Sequence, residues 1–226
     1  MSILLNEKIK SAKSGFKTQQ SVTVKANTNP HTFTDKLHYK AIVVGSSTGG
    51  PSTVEQFLKS LPANLPVPVI IAQHMPANFI QAYAGRLDKM CPFPVKHAIT
   101  GERIFSGRVY VLSGLSNQTL ELTRGHVTVG ETPEKFRHFN NPSVDALFLT
   151  AAEVYGPELI GIVLTGMGAD GKKGIAAIKD AGGRTLAQDE ATSVVYGMPR
   201  EAFLTGKVDH VLPIQEMGGF VVTCLS

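Results

Sequence analysis

Three residues carry the most chemistry in this sequence: Ser47, His74 and Asp170, each set just after a short apolar run. Ser47 sits at the centre of Gly45-Ser46-Ser47-Thr48-Gly49, a literal G-x-S-x-G between the run at 41–44 and the amphipathic stretch opening at Ser52. Strand, tight turn and helix together can present one hydroxyl at the C-terminal edge of a sheet, with helix N-terminal amides beside it. His74 follows the run at 67–72 in Gln73-His74-Met75-Pro76, and Asp170 follows the run at 160–164 in Thr165-Gly166-Met167-Gly168-Ala169-Asp170-Gly171. A serine hydroxyl is a weak nucleophile until a neighbouring base takes its proton, and that base works best when a carboxylate fixes its tautomer. Ser47, His74 and Asp170 can fill those roles.

Each residue also has a plainer reading. A serine in a strand-to-helix turn is a natural helix cap, although Ser46 and Thr48 compete for that task. Of the seven histidines, only His74 directly follows an apolar strand and precedes a Met-Pro; His31 and His38 fall in the N-terminal segment, and His97, His126, His138 and His210 fall at short strands, loops or the domain's end. A lone histidine is commonly structural, but a place beside the serine turn favours a general base. Asp170 could cap the helix expected at 172–181. Asp145, in Asn140-Asn141-Pro142-Ser143-Val144-Asp145, is the rival acid, and its place in a first helical turn suits a carboxylate without any catalytic task. The glycines around Asp170 tip the balance towards it, because they let backbone amides approach a developing oxyanion.

The elements that must position these residues follow from periodicity. Strands are expected at 41–45, 67–72, 94–98, 109–113, 118–122, 126–129, 160–164 and 184–187. Helices are expected at 52–60, 77–90, 143–155, 172–181, 197–204 and near 214–223. This alternation predicts an α/β fold: a single doubly wound, mostly parallel sheet flanked by helices, with a short antiparallel excursion near residues 108–129. Open sheets of this kind bind ligands at the C-terminal ends of their strands, where the hydroxyl, the imidazole and the carboxylate all emerge.

Composition narrows the class. With 226 residues, 42% hydrophobic and 18% charged, the chain can bury one sizeable core. Residues 38–226 are expected to form a catalytic domain, and 1–37 a flexible basic linker or tail in which Leu4, Leu5, Ile9 and Ala12 could line a short helix. Residues 1–40 hold seven lysines against Glu7 and Asp35, a net of +5, whereas the remaining 15 basic and 16 acidic residues net −1. The folded body therefore lacks the charge expected of a nucleic-acid enzyme. Two cysteines, no 18-residue apolar run and no compact signal sequence point to the cytoplasm. The turn at Ser47 has neither the GxxxxGK[ST] nor the G-x-G-x-x-G frame of phosphate loops, and no metal-ligand spacing occurs, so no cofactor or metal is expected. The chain order Ser…His…Asp also differs from that of α/β-hydrolases, chymotrypsin and subtilisin.

Taken together, Gly45-Ser46-Ser47-Thr48-Gly49-Gly50-Pro51, Gln73-His74-Met75-Pro76, Pro142-Ser143-Val144-Asp145 and Leu164-Thr165-Gly166-Met167-Gly168-Ala169-Asp170-Gly171 resemble the chemotaxis protein-glutamate methylesterase (CheB) family. Ala187-Gln188-Asp189-Glu190 and Val195-Tyr196-Gly197-Met198-Pro199 extend the resemblance, which covers about residues 40–215 in family order. It implies a serine hydrolase that removes methyl esters from glutamate side chains of chemoreceptors, releases methanol and can deamidate receptor glutamines. It also implies Ser47 as nucleophile, His74 as base, Asp170 as orienting acid and the Met167 amide as oxyanion donor; in the mechanism expected here the oxyanion is held by amides of the Met167 loop or of the Ser47 turn, at Thr48. The implied partners are methylated chemoreceptor helices and a receiver domain in a longer parent chain.

One departure stands out. Where the family has Ala-Pro followed by a histidine, this chain reads Leu112-Ser113-Gly114-Leu115-Ser116-Asn117, in a loop expected to border the cleft. Two other functions fit the same motifs less fully: hydrolysis of other small esters or amides, and a non-catalytic receptor-binding module.

Overall fold

The computed structural model describes residues 38–133 and 142–226. The apolar run Ala41–Ser46 forms strand β1, buried along its whole length. Then follow α1 (Gly50–Lys59), β2 (Val69–Gln73), α2 (Ala77–Met90), β3 (Val95–His97), β4 (Val109–Val111), β5 (Asn117–Thr123) and β6 (His126–Thr132). After them come α3 (Val144–Tyr155), β7 (Leu159–Val163), α4 (Lys172–Asp180), β8 (Arg184–Gln188), α5 (Met198–Phe203), β9 (His210–Leu212) and α6 (Ile214–Leu225).

Seven strands form one sheet in the order β3-β4-β2-β1-β7-β8-β9, and every pairing in it is parallel. A parallel strand is covered on both faces, so its sequence reads as a continuous apolar run. Successive side chains of β1 still alternate between the two faces. Ile42 and Val44 join Phe57 and Leu58 of α1 and Met217 of α6 in one core. Ala41 and Val43 join Leu147 and Phe148 of α3 and Ile175 of α4 in the other. The chain leaves β1 towards β2 and later returns on the opposite side with β7, so β1 marks the switch in strand order where such sheets open a ligand crevice.

The doubly wound architecture is as the periodicity predicts, with three differences. β4 belongs to the parallel sheet and ends at Val111, so the antiparallel excursion begins later than 108 and is the separate hairpin β5–β6, which reaches Thr132. β2 starts at Val69, because Pro68 has no amide for the ladder. β9 was not expected; at three residues its apolar signal is too short to register as a strand. The expected linker at 1–37 with its short helix, His31, His138, Asn140 and Asn141 lie outside the described residues. Among the described residues no helix is long and apolar enough to cross a membrane.

Candidate active site

Register brings Ser47 and His74 together. Ser46 pairs with Gln73 at the ends of β1 and β2, and the His74 amide donates to the Ser46 carbonyl at 2.9 Å. Ser47 and His74 are thus the first residues beyond two neighbouring strands. The serine turn itself is held from the β7 side. The Ser47 amide donates to the Thr165 carbonyl at 3.0 Å, and Thr165 Oγ1 donates to the Thr48 carbonyl at 2.9 Å.

No hydroxyl caps α1, contrary to the plainer reading of Ser46, Ser47 and Thr48. Its N-cap is Gly49, at φ 80°, and no acidic residue lies in its first turn. Ser46 is instead the last residue of β1 and donates to Gln73 Oε1 at 2.6 Å. Among the described residues nothing accepts from Ser47 Oγ. The positive end of α1 therefore faces the serine turn without a neutralising side chain.

His74 Nε2 lies 2.7 Å from Asp170 Oδ2, with both side chains almost fully buried. Burial alone would raise the Asp170 pKa, but the His74 hydrogen bond and the Asp145 and Val144 amides outweigh it and hold the carboxyl below its ordinary range. An ionised carboxylate only accepts, so Nε2 carries the proton and Nδ1 of the neutral ring keeps its lone pair. This reverses the nitrogens of the familiar Ser-His-Asp arrangement, in which Nδ1 faces the acid.

Asp170 does not cap the helix that follows it. The N-cap of α4 is Gly171, at φ 92° and without a side-chain cap. The carboxylate turns instead to the start of α3, taking the Val144 amide at 2.8 Å and the Asp145 amide at 2.9 Å, plus Ser143 Oγ at 3.2 Å and the Gly171 amide at 3.0 Å. Asp145 makes the reciprocal contact, accepting from the Gly174 amide in the first turn of α4 at 2.8 Å. Each carboxylate serves the other's helix. Asp145 makes no hydrogen bond or ion pair with His74, and burial, aided by the Asp170 charge, raises its pKa against the pull of the Gly174 amide. Gly45 makes this crossing possible: a Cβ there would lie 2.2 Å from Val144 Cγ1.

Met167 lies in the loop after β7, 74% exposed. The preceding Gly166 carbonyl accepts from the Gly197 amide at 3.2 Å and the Met198 amide at 2.8 Å. In a trans peptide the N–H points opposite the C=O, so the Met167 amide faces away from these anchors. Gly166 is packed on Ser47, since a Cβ there would come within 2.7 Å of Ser47 Cβ. Among the described residues the amides of Met167 and Thr48 have no hydrogen-bond acceptor in the protein. Two free donors therefore flank the serine.

Two buried glutamines were missed in the sequence. Gln73 Nε2 donates to the carbonyls of Ser47 at 3.0 Å and His74 at 2.9 Å. Gln188 takes the Thr165 amide on Oε1 at 2.8 Å and donates to the Thr192 carbonyl at 2.9 Å. Both end a buried strand in Ala-Gln, and a polar side chain at the end of a buried run must find partners, which is the available signal. The loop that departs from the family pattern packs on the far side of His74, where a Cβ on Gly114 would lie 2.7 Å from the Met75 carbonyl oxygen. Among the described residues no cluster of three His, Cys, Asp or Glu side chains could hold a metal ion.

Comparison with known proteins gives the family. The family model for CheB methylesterase matches residues 42–221. A protein-glutamate methylesterase/protein-glutamine glutaminase of Bordetella parapertussis is 43% identical over 188 residues, 83% of this chain and 53% of that protein. Another, of Geobacter sulfurreducens, is 41% identical over 187 residues, 81% of this chain and 49% of that protein. The chain spans about half the length of these curated relatives. The crystal structure of the Thermotoga maritima CheB methylesterase catalytic domain superimposes with a TM-score of 0.79 at 37% identity, covering 82% of this chain and 98% of that one. The chain belongs to the CheB methylesterase family.

Proposed function

We propose that residues 38–226 are a catalytic domain that hydrolyses methyl esters of glutamate side chains on chemoreceptors and also deamidates receptor glutamines. The observation that carries this reading is the contact of His74 Nε2 with an ionised, buried Asp170, across the sheet edge from a Ser47 hydroxyl that has no acceptor among the described residues. In this reading His74 Nδ1 takes the proton of Ser47, whose Oγ attacks the ester carbonyl. The oxyanion of the tetrahedral intermediate is held by the Met167 and Thr48 amides, close to the positive end of α1. The ester bond then breaks, methanol leaves with the proton from His74, and water activated by the same nitrogen releases glutamate from the acyl-enzyme.

The names of the relatives support the substrate, and the longer relatives support a receiver domain in a parent chain that restrains this domain. The working compartment is the cytoplasm, where receptor helices carry their methylated glutamates. The test is methanol release from receptor membranes methylated in advance. The wild-type chain releases methanol and Ser47→Ala does so at least about 10⁴-fold more slowly. Release by Ser47→Ala at near the wild-type rate overturns the assignment.

A further inference from the structure

Gln73 is 1% exposed, and its side-chain amide is used on both ends. Oε1 accepts from Ser46 Oγ at 2.6 Å, while the two hydrogens on Nε2 go to the carbonyls of Ser47 at 3.0 Å and His74 at 2.9 Å. One nitrogen therefore ties the backbone of the serine to the backbone of the histidine. The Ser47 carbonyl also accepts from the Gly50 amide at 2.8 Å, so it is drawn inward from two sides. The Ser47–Thr48 peptide is planar and trans, and an inward C=O leaves the Thr48 N–H facing outward.

The glycine pair after the serine reports the same demand. Gly49 needs its positive φ, whereas Gly50 is small for another reason: a Cβ there would lie 2.1 Å from Gln73 Oε1, its tightest contact, and 2.9 Å from Ser46 Cβ, whose hydroxyl the same amide holds. The turn is built around this amide.

We propose that Gln73 is a positioning residue for the reaction, aiming the Thr48 amide at the oxyanion and locking Ser47 beside His74. The inference rests on the reading of Ser47 as nucleophile and His74 as base. A misplacement of about 1 Å in such a set costs on the order of 100-fold in rate. Losing an amide donor to the oxyanion costs about as much or more. Neither effect weakens substrate binding, so the loss belongs in kcat.

The experiment measures methanol release from methylated receptor membranes and the rate at which a fluorophosphonate probe labels Ser47, well below the melting temperature of each variant. Gln73→Met, close in shape but unable to make any of the three bonds, should lower kcat about 100-fold, leave KM within about threefold and slow labelling in parallel. Gly50→Ala displaces the same amide and should lower kcat in the same way. In a Gln73→Ser background Gly50→Ala should add much less than it costs alone, because the clash with the Gln73 amide is gone and only Ser46 Cβ, 2.9 Å away, still has to give. Wild-type kcat in folded Gln73→Met, or independent losses from Gly50→Ala and Gln73→Ser, overturn the proposal. Where Gln73→Met does not fold, Gly50→Ala decides: a kcat loss at constant KM supports the role and wild-type kcat removes it. Ser47→Ala, run alongside, separates the two levels. Methanol release by that variant undoes the nucleophile assignment, whereas an inactive Ser47→Ala beside a fully active Gln73→Met undoes only the role of Gln73.

Discussion

Asp170 and Asp145 have the same side chain and nearly the same burial, at 3% and 6% exposure, and each sits at the N-terminus of a helix that is not the one its sequence position suggests. Their titration nevertheless moves in opposite directions. Asp170 gathers the His74 proton donor, two helix amides, the Gly171 amide and a serine hydroxyl, and its pKa falls despite burial. Asp145 is dominated by burial, with the Asp170 charge adding to it, and its pKa rises. Burial does not decide the charge of a carboxylate; the number and kind of donors facing it do. The acid that touches the imidazole is kept ionised, and the other one holds the scaffold.

The largest effect expected from this contrast is on turnover. Asp170→Asn should lower kcat about 10⁴-fold, because an amide no longer enforces the tautomer of His74, whereas Asp145→Asn should stay within about tenfold of wild type. Methanol release under saturating receptor measures both, and equal losses break the comparison.

A smaller effect is expected on stability. Asp145→Ala removes the acceptor of the Gly174 amide and should cost about 1–2 kcal/mol in denaturant unfolding, as loss of a helix cap does. Asp145→Asn keeps an oxygen for that amide and should cost less.

The smallest effect is on the pH dependence of stability, and its sign differs between the two. The lowered pKa of Asp170 gives stability that is complete above the unfolded value of about 3.9 and lost as pH falls through the folded value. The raised pKa of Asp145 does the reverse, taking stability away as pH rises from about 3.9 through its folded value. Unfolding free energies across the acid range should therefore show Asp170→Asn losing ground to wild type as pH rises, and Asp145→Asn gaining it. The same slope for both variants contradicts the opposed shifts.

Much of this was legible before the fold was known. Short β-branched runs marked β1, β2 and β7, and the residues just after them are Ser47, His74 and the loop carrying Asp170. The helices were legible to within about two residues because their apolar faces repeat at a constant spacing. The crossing of the two carboxylates was not. Sequence places Asp145 and Asp170 beside their own helices, and only the packing of α3 on α4, across the glycines at 45 and 171, brings each to the other's amides. The choice of Nε2 over Nδ1 was equally invisible, since the residue type carries no ring orientation. The Ala-Gln strand ends could have been read, as buried polar residues in need of partners.

The most direct test of the central claim, that Asp170 and not Asp145 fixes the imidazole of His74, is the tautomer of that ring. Nitrogen NMR of histidine-labelled protein above the imidazole pKa should show His74 neutral with its proton on Nε2 and none on Nδ1. The preference should collapse to a mixture in Asp170→Asn and persist in Asp145→Asn. A proton on Nδ1 in the wild-type protein, or an unchanged Nε2 proton in Asp170→Asn, would contradict the account.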